Sequence, residues 1–259
     1  MHNPQFSQKH ISMTTDTTIF GLHAVHALMT RRASAVKHLM VQHATESELL
    51  SDILHIAKSH RIAIEYTSRR SLDHLTHDGN HQGVLAYCKP PRIYTEDDLK
   101  DWLANLGIPP FLLILDGIQD PHNLGACFRS ADAAGVHAII APKDKACGIT
   151  EVVAKVASGA SEFVPFFQVT NLVRTMTFLK EAGVWFYGAV GEATQSLYHT
   201  KLVGPIGIVL GQEGNGLRRL TRESCDFLIH IPMHGAVSSL NVSVAAGVIL
   251  FEAVRQRMR

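Results

Sequence analysis

FLLILDGIQDPHNLGACFRSADAAG, residues 111–135, is the stretch that decides the fold of this chain. It begins with a continuous apolar run over residues 111–115, which is typical of a strand covered on both faces of a sheet. Asp, Gly, Pro and Asn follow and favour a turn, and residues 124–134 have a helical pattern. The stretch therefore predicts a strand, a turn and a helix in succession, which is the repeating unit of an α/β domain.

Strands and helices alternate from there to the end of the chain. The predicted strands are residues 137–141, 163–166, 184–189, 206–210 and 227–231, and the predicted helices are residues 151–158, 172–182 and 240–257. This alternation predicts an α/β fold with a mostly parallel sheet and helices on both of its faces.

The last predicted helix, residues 240–257, is apolar on nearly every side. Leu240, Val244 and Phe251 share one face at helical spacing, and small or branched apolar residues cover most of the rest. A helix of this composition is buried on several sides. It therefore suits packing into its own domain and against a second subunit.

Residues 16–89 are predicted to form a separate, small α/β domain. Its predicted helices open at residues 21–28 and cover residues 46–60, and its predicted strands are residues 36–41, 62–66 and 83–87. The predicted order of elements is α-β-α-β-α-β.

Two further segments flank this small domain. Residues 1–15 are polar and lack apolar periodicity, so a disordered tail is predicted there, with Met13 as a candidate natural start. A pair of prolines opens a linker over residues 90–110, in which residues 94–106 have the pattern of a short polar helix. The large α/β domain then spans residues 111–259.

Composition and cysteine usage exclude several classes of protein. The 259 residues suffice for one large domain or two modest ones, with a real core. No apolar run approaches the length of a membrane span, and the N-terminus lacks the pattern of a secretory signal. The four cysteines are scattered without a Cys-x-x-Cys pair, which argues against a disulfide framework or a zinc cluster. A cytoplasmic protein with no membrane partner is therefore predicted.

The formal net charge is only +1, so any basic footprint for a nucleic acid must be local. The candidate clusters are Arg31-Arg32 with Lys37, Arg69-Arg70, Lys143 with Lys145, and Arg218-Arg219 with Arg222, each of which could equally be a solvated helix end or loop. His23 and His26 have a spacing that fits helix ligation. No carboxylate or third ligand follows them at a set distance, so no metal site is predicted.

Residues that could take part in binding or catalysis lie at three predicted strand-to-helix junctions. These are NLGACFR at residues 123–129, LGQEGNG at residues 210–216 and SSLNVSVA at residues 238–245. The second string could be a nucleotide phosphate loop. Its glycines have the order G-x-x-G-x-G rather than G-x-G-x-x-G, and no Lys-Ser/Thr pair follows, which disfavours that interpretation.

Each of these polar residues also has a purely structural interpretation. Asn123 is well placed to cap the helix that follows it, and the hydroxyls of Ser238 and Ser239 or the amide of Asn241 could cap the last helix. Arg129 could form a salt bridge with Asp132. Glu213 could be favoured by the dipole of a helix that starts near residue 217.

In this order and at this separation, the three strings resemble the motifs of the SpoU/TrmH methyltransferases. Residues 16–89 resemble that family's substrate-binding domain, whose His-Gln-Gly signature matches residues 81–83. The resemblance covers nearly the whole chain and implies methyl transfer from S-adenosylmethionine to a ribose 2′-hydroxyl of RNA. It also implies a SPOUT domain with a trefoil knot, and a homodimer through the C-terminal helix.

The resemblance also implies which residues form the site. The catalytic residues would be Arg129, Asn123, Glu213, Ser239 and Asn241, and the cofactor would contact Gly211, Ile231, Leu240, Ala189 and Gly191. Because arginine stays protonated in proteins, we expect Arg129 to hold the ribose or its phosphate rather than to act as the general base. Another acceptor would then take the hydroxyl proton.

Within the family, residues 115–135 and 231–257 are most similar to the bacterial enzymes that methylate a guanosine ribose in the peptidyl-transferase region of 23S rRNA. Relatives that modify tRNA are the near alternative, although they usually lack the N-terminal module. A catalytically silent RNA-binding protein on the same fold is another alternative, and a nucleotide-dependent dehydrogenase is a third.

Overall fold

The computed structural model describes residues 16–43 and 47–258, so the tail predicted at residues 1–15 lies outside the described residues. The elements of the first sheet and its helices are β1 (Thr17–Phe20), α1 (Leu22–Arg32), β2 (Val36–Gln42), α2 (Glu48–Ser59), β3 (Ala63–Thr67), α3 (Arg69–Leu75) and β4 (Val84–Cys88). The four strands lie in the order β1-β4-β2-β3, with β2 and β3 parallel and the other pairs antiparallel.

The strand β1 is missing from the order predicted for the small domain, which starts with a helix. β1 pairs antiparallel with β4, and Thr18 lies opposite Tyr87. Of its four residues only Ile19 is buried. A strand this short shows no alternation of apolar and polar residues that a pattern could reveal.

The loop before β4 contains the His-Gln-Gly string. His81 is buried, and its Nδ1 accepts a hydrogen bond from the backbone N–H of Gly83 at 3.0 Å. Its Nε2 therefore carries the proton and lies 3.0 Å from a carboxylate oxygen of Asp73. The side-chain oxygen of Gln82 accepts from the backbone N–H of Leu22 at 3.1 Å, at the first residue of α1. The string thus ties the turn before β4 to the start of α1.

The second sheet has seven strands, and all of its pairs are parallel. Its elements are α4 (Glu96–Asn105), β5 (Phe111–Asp116), α5 (Pro121–Ala133), β6 (Ala138–Pro142), α6 (Glu151–Val156), β7 (Phe166–Val169), α7 (Leu172–Glu181), β8 (Trp185–Ala189), β9 (Gln195–Ser196), β10 (Ile206–Gly211), α8 (Arg219–Glu223), β11 (Phe227–His230) and α9 (Val242–Arg257). The strands lie in the order β7-β6-β5-β10-β8-β11-β9.

The strand β5 shows why this sheet needs helices on both faces. All of its residues are buried. Phe111, Leu113 and Leu115 pack into the core under α5 and α9. Leu112 and Ile114 pack into the opposite core, under α4 and α7. The predicted α/β fold with a parallel sheet covered on both faces is therefore confirmed, whereas the trefoil knot stays a prediction.

The helix α5 begins at Pro121, three residues earlier than predicted. Asp120 caps it, because the Asp120 carboxylate accepts a hydrogen bond from the backbone N–H of His122 at 2.8 Å. Proline at the first helical position is compatible with this start. The interpretation of Asn123 as the cap was therefore wrong. Asn123 is the third residue of the helix, is buried, and has its side chain available for another role.

Other boundaries also differ from the predictions, and two of them affect how the chain is read. The strand predicted at residues 163–166 begins only at Phe166, because the segment Ala160–Glu162 before it forms a 3-10 turn. The helix α9 begins at Val242, after its cap Asn241. Although α9 is strongly apolar, no helix in the described part of the chain is both long and apolar enough to cross a membrane.

The small domain packs against α6 and the 3-10 turn that follows it. The Glu151 carboxylate accepts hydrogen bonds from the backbone N–H of Thr18 at 3.1 Å and from its hydroxyl at 2.6 Å. Arg32 forms an ion pair with Glu162, whose side chain is buried. Because α6 also packs against α5, these contacts set the position of the small domain relative to the elements of the large sheet.

Candidate active site

The loops at the carboxyl edge of the large sheet enclose an open cleft of about 980 Å³. The cleft lies between the loops that follow β8, β10 and β11, and the start of α9 forms one wall. Ligands of parallel α/β sheets bind in the crevice outside the carboxyl ends of the strands. The cleft is therefore the candidate active site.

Side chains from all three sequence strings meet at Glu213. Its Oε1 accepts hydrogen bonds from the side-chain amide of Asn123 at 3.1 Å, from the side-chain amide of Asn241, and from the backbone N–H of Val242 at 3.3 Å. The amide of Asn241 also donates to the side-chain oxygen of Asn123 at 2.9 Å. These contacts join α5, the loop after β10 and the start of α9. The predicted macrodipole role of Glu213 thus applies to α9 rather than to a helix near residue 217.

Asn241 uses both ends of its side-chain amide. The oxygen accepts from the backbone N–H of Ser243 at 2.9 Å and from its hydroxyl at 2.6 Å, and so caps α9. The nitrogen donates to Glu213 and Asn123. Asn241 is therefore a helix cap and a member of the cluster at the same time. Of the residues predicted to cap the last helix, Asn241 is the one that caps α9.

The loop after β10 folds back on itself, and Gly211 permits it. The backbone N–H of Gln212 donates to the carbonyl of Gly216 at 3.0 Å, and the return bond measures 2.9 Å. A Cβ atom at Gly211 would overlap the backbone of Gly216 and of Leu217. Gly211 lines the cleft, and its lack of a side chain is required by this close approach of the loop.

Asp116 and Arg218 hold the same loop in place. The sequence analysis assigned neither of them to the site, since Arg218 was considered only as part of a basic cluster. Asp116 ends β5 with its side chain fully buried. Its carboxylate accepts from the backbone N–H of Arg218 at 2.9 Å and from the guanidinium Nε at 2.6 Å. Gln212 adds a bond from its side-chain amide to the carbonyl of Gly117 at 2.7 Å. A carboxylate that ends a fully apolar strand was the available signal, because a buried charge needs a partner.

The other residues expected at the site line the same cleft. They are Ser239, Ile231, Leu240, Ala189 and Gly191. The Ile231 and Leu240 side chains are half-buried and pack at its apolar side, whereas Gly191 and Ser239 are exposed at its rim. Apolar side chains beside exposed backbone groups suit a flat heterocyclic ring.

Arg129 does not line this cleft. It lies on α5 in a neighbouring, shallower groove of about 350 Å³, together with Val156, Val244 and Phe251. Its side chain is exposed and forms no hydrogen bond or ion pair with any residue of ranges 16–43 and 47–258. The alternative salt bridge with Asp132 is therefore not formed. One chain thus brings Asn123, Glu213 and Asn241 together but leaves Arg129 outside.

A charged pair stands at the mouth of the cleft. Arg222 on α8 donates to the carboxylate of Glu192 in the loop after β8. The pKa of Glu192 is lowered by a hydrogen bond from the backbone of Glu192 itself and by the Arg222 guanidinium.

Among the residues that the structure describes, no three His, Cys, Asp or Glu side chains are grouped so that they could hold a metal ion.

Family models match both parts of the chain. The model described as the SpoU rRNA Methylase family matches residues 110–251, which is more than half of the chain. The model described as RNA 2′-O ribose methyltransferase substrate binding matches residues 18–94.

Curated proteins are similar over almost the full length. The chain is 54% identical over 245 residues to the 23S rRNA (guanosine-2′-O-)-methyltransferase RlmB of Shewanella oneidensis, covering 95% of this chain and 99% of that protein. It is 52% identical over 239 residues to the protein of the same name from Escherichia coli K12, covering 92% and 98%. A crystal structure of the SpoU methyltransferase AviRb from Streptomyces viridochromogenes with AdoMet has a TM-score of 0.76 at 24% identity, covering 94% and 91%, and supports the fold.

Proposed function

The chain belongs to the SpoU rRNA methylase family, and we propose that its cleft transfers a methyl group from S-adenosylmethionine to the ribose 2′-hydroxyl of a guanosine in 23S rRNA. The observation that carries the proposal is the cluster around Glu213, in which the three sequence strings meet at the cleft. A target in the peptidyl-transferase region is the finer proposal, supported by the resemblance of residues 115–135 and 231–257.

S-adenosylmethionine fits the cleft in size and in chemistry. A cleft of about 980 Å³ lies in the range of sites for cofactors and other small ligands. The apolar side chains of Ile231 and Leu240 suit the adenine ring, and the backbone around Gly191 and Gly211 can approach it closely. When bound, this cofactor supplies an activated methyl group, so the main task of the protein is to align the ribose oxygen with it.

The cluster around Glu213 would position that ribose oxygen. All of the hydrogen bonds that Glu213 accepts within the described chain go to Oε1, and none goes to Oε2. We assign Oε2 to accept the hydrogen bond of the ribose 2′-hydroxyl, because two amides and a backbone N–H already hold the carboxylate in place. Ser239, at the rim, would contact the same ribose.

Arg129 would hold the ribose or the phosphate beside it. A guanidinium stays charged and binds phosphate through two parallel hydrogen bonds. The exposed position of Arg129 and its lack of a partner in the described chain support this role over that of a general base.

A homodimer through α9 is part of the proposal. Val244 and Phe251 on this helix are 51% and 49% exposed, and they line the groove beside Arg129. A second copy seated on this groove would bury both side chains and bring Arg129 into a shared site. Sedimentation of the full chain should give a dimer, and Phe251→Glu should give a monomer with little methyl transfer. A monomeric wild type with full activity would contradict the dimer.

Methyl transfer itself is tested with labelled S-adenosylmethionine and 23S rRNA that lacks the modification, followed by digestion to nucleosides. The expected product is 2′-O-methylguanosine, with little label from Arg129→Ala. Label on tRNA alone would support the proposed methyl transfer but would contradict 23S rRNA as the substrate. No label on either RNA, from a folded protein with competent RNA, would favour a catalytically silent RNA-binding protein.

A further inference from the structure

Most cations of the four basic clusters are already engaged within the chain. Arg31 lies over the ring of Phe163, Arg32 pairs with Glu162, Lys37 with Asp16, Arg218 with Asp116, Arg219 with Glu223, and Arg222 with Glu192. A cation that is paired with a carboxylate gains less from a phosphate, because the existing pair must be broken first. Two clusters, Arg69-Arg70 and Lys143 with Lys145, have no such partner in the part of the chain that the structure describes.

Lys143 and Lys145 lie at the carboxyl edge of the large sheet, where the cleft opens. They follow β6, which neighbours β5 in the sheet, and both are exposed. Arg69 and Arg70 start α3 in the small domain instead. Of the two unpaired basic clusters, only the lysine pair therefore lies at the same edge of the large sheet as Glu213.

The backbone of the lysine segment is fastened to the loop that leads into α5. The N–H of Cys147 donates to the carbonyl of Ile118 at 2.7 Å, and the N–H of Lys143 donates to the carbonyl of Val169 at 2.8 Å. Lys145 has a φ of 56°, an unusual value for a residue with a side chain, and its carbonyl packs against Gly117. The ammonium groups are thus carried by a fixed loop beside the start of α5, not by a free surface tail.

The described carboxylates near Lys143 and Lys145 do not form ion pairs with the two ammonium groups. Asp120 uses its carboxylate to cap α5 through the backbone N–H of His122. Asp144 lies between the two lysines, is exposed, and forms no ion pair with any described residue. The segment therefore keeps a net positive charge.

We propose that Lys143 and Lys145 bind backbone phosphates of the RNA strand beside the target ribose. This inference rests on the proposed function, since it names how the substrate of that site is held. Phosphate contacts of this kind set the position of the strand and release counterions, but they do not read the base. Each contact therefore makes affinity fall with salt.

The test compares the full-length wild type with the double variant Lys143→Ala/Lys145→Ala. RNA affinity is measured against salt, together with the KM for RNA, kcat and the affinity for S-adenosylmethionine. Two lost contacts should reduce the slope of log K against log salt by about 1.4 in magnitude, at about 0.7 per phosphate. At 0.1 M salt this corresponds to RNA binding weakened by about 25-fold. The kcat at saturating RNA and the affinity for S-adenosylmethionine should stay unchanged.

Two control variants isolate the position and the sign of the charge. Lys201→Ala removes one positive charge from an exposed lysine that precedes β10, at the opposite edge of the sheet, and should leave the slope unchanged. Asp144→Asn removes a negative charge between the two lysines and should tighten RNA binding.

An unchanged salt slope in the double variant would overturn the proposal. So would an equal loss of slope per removed charge in Lys201→Ala, which would mean a general effect of net charge. Weaker binding of S-adenosylmethionine would show that the lysines support the cleft rather than the RNA, and would overturn it as well. Failure of the proposed function is distinguishable, because the wild type would then transfer no methyl group to 23S rRNA whatever its salt slope.

Discussion

Asp116→Asn should loosen the loop that carries Glu213. The Asp116 side chain is 0% exposed and accepts hydrogen bonds from the backbone N–H and the guanidinium of Arg218. Asparagine has only one acceptor oxygen, so its NH₂ group would face one of those donors. A lost hydrogen bond to a charged group costs about 1.5–3 kcal/mol. The Arg218 side chain is 50% exposed and can turn to water, so we expect a net loss of about 2 kcal/mol.

The assay is urea denaturation of wild type and Asp116→Asn, read as a shift of the midpoint at unchanged slope, together with calorimetric titration of S-adenosylmethionine. If about 1.4 kcal/mol of the loss is expressed in the loop, the Kd for the cofactor should rise about tenfold. Arg219→Ala is the matched control, because its pair with Glu223 lies on the surface of α8 and should contribute under about 0.5 kcal/mol. Stability within about 0.5 kcal/mol of wild type, with unchanged cofactor affinity, would refute the reasoning.

Three further predictions follow from the site and the core. Glu213→Gln should lower kcat for methyl transfer by about 10²-fold while the fold persists, because an amide has one acceptor where the carboxylate has two; near-normal kcat would contradict this. Gly211→Ala should abolish measurable cofactor binding, since its Cβ would overlap the backbone of Gly216. Gly214→Ala, whose Cβ meets open space, should bind the cofactor more strongly than Gly211→Ala does, despite the strained φ at residue 214. Burial raises the pKa of Cys127 from 9.0 to about 12, so the stabilisation from its protonated thiol is complete below pH 9 and is lost as the pH rises toward 12. Between pH 9 and 10 wild type should therefore lose about 1 kcal/mol more than Cys127→Ala in urea denaturation, and equal losses would exclude a buried, protonated thiol.

The large sheet is predictable from the sequence because its central strand is apolar on both faces. Once β5 and the alternation after it are recognised, the carboxyl ends of the strands must share one edge, and the three strings must meet there. The small domain is harder to predict at its first strand. β1 has one buried residue, and it is held by its pairing with β4, a contact between residues far apart in the chain.

The support of the site is less predictable than its lining. A carboxylate at the end of β5 predicts a cationic partner, but Arg218, Arg219 and Arg222 are equally plausible from the sequence. The structure distinguishes the three arginines by the carboxylates they pair with, of which only that of Asp116 is buried. Arg218 reaches Asp116 from the loop that folds back onto Gly211. A bond between residues 102 positions apart depends on that fold-back and not on any local pattern.

Under the proposed function, we expect Arg129 and Glu213 to have separate roles in the reaction. The Arg129 guanidinium is exposed, and no described residue is placed to accept a proton from it. It is therefore suited to bind a negatively charged group of the substrate and not to remove a proton. Glu213 has the opposite properties, because one oxygen is fixed by three donors and the other takes no hydrogen bond within the described chain. A hydroxyl placed at that second oxygen would be oriented by a carboxylate that cannot rotate away. We therefore expect the alignment of the ribose oxygen to depend on Asn123 and Asn241 as much as on Glu213 itself, since they hold the carboxylate oxygen that the substrate would not touch.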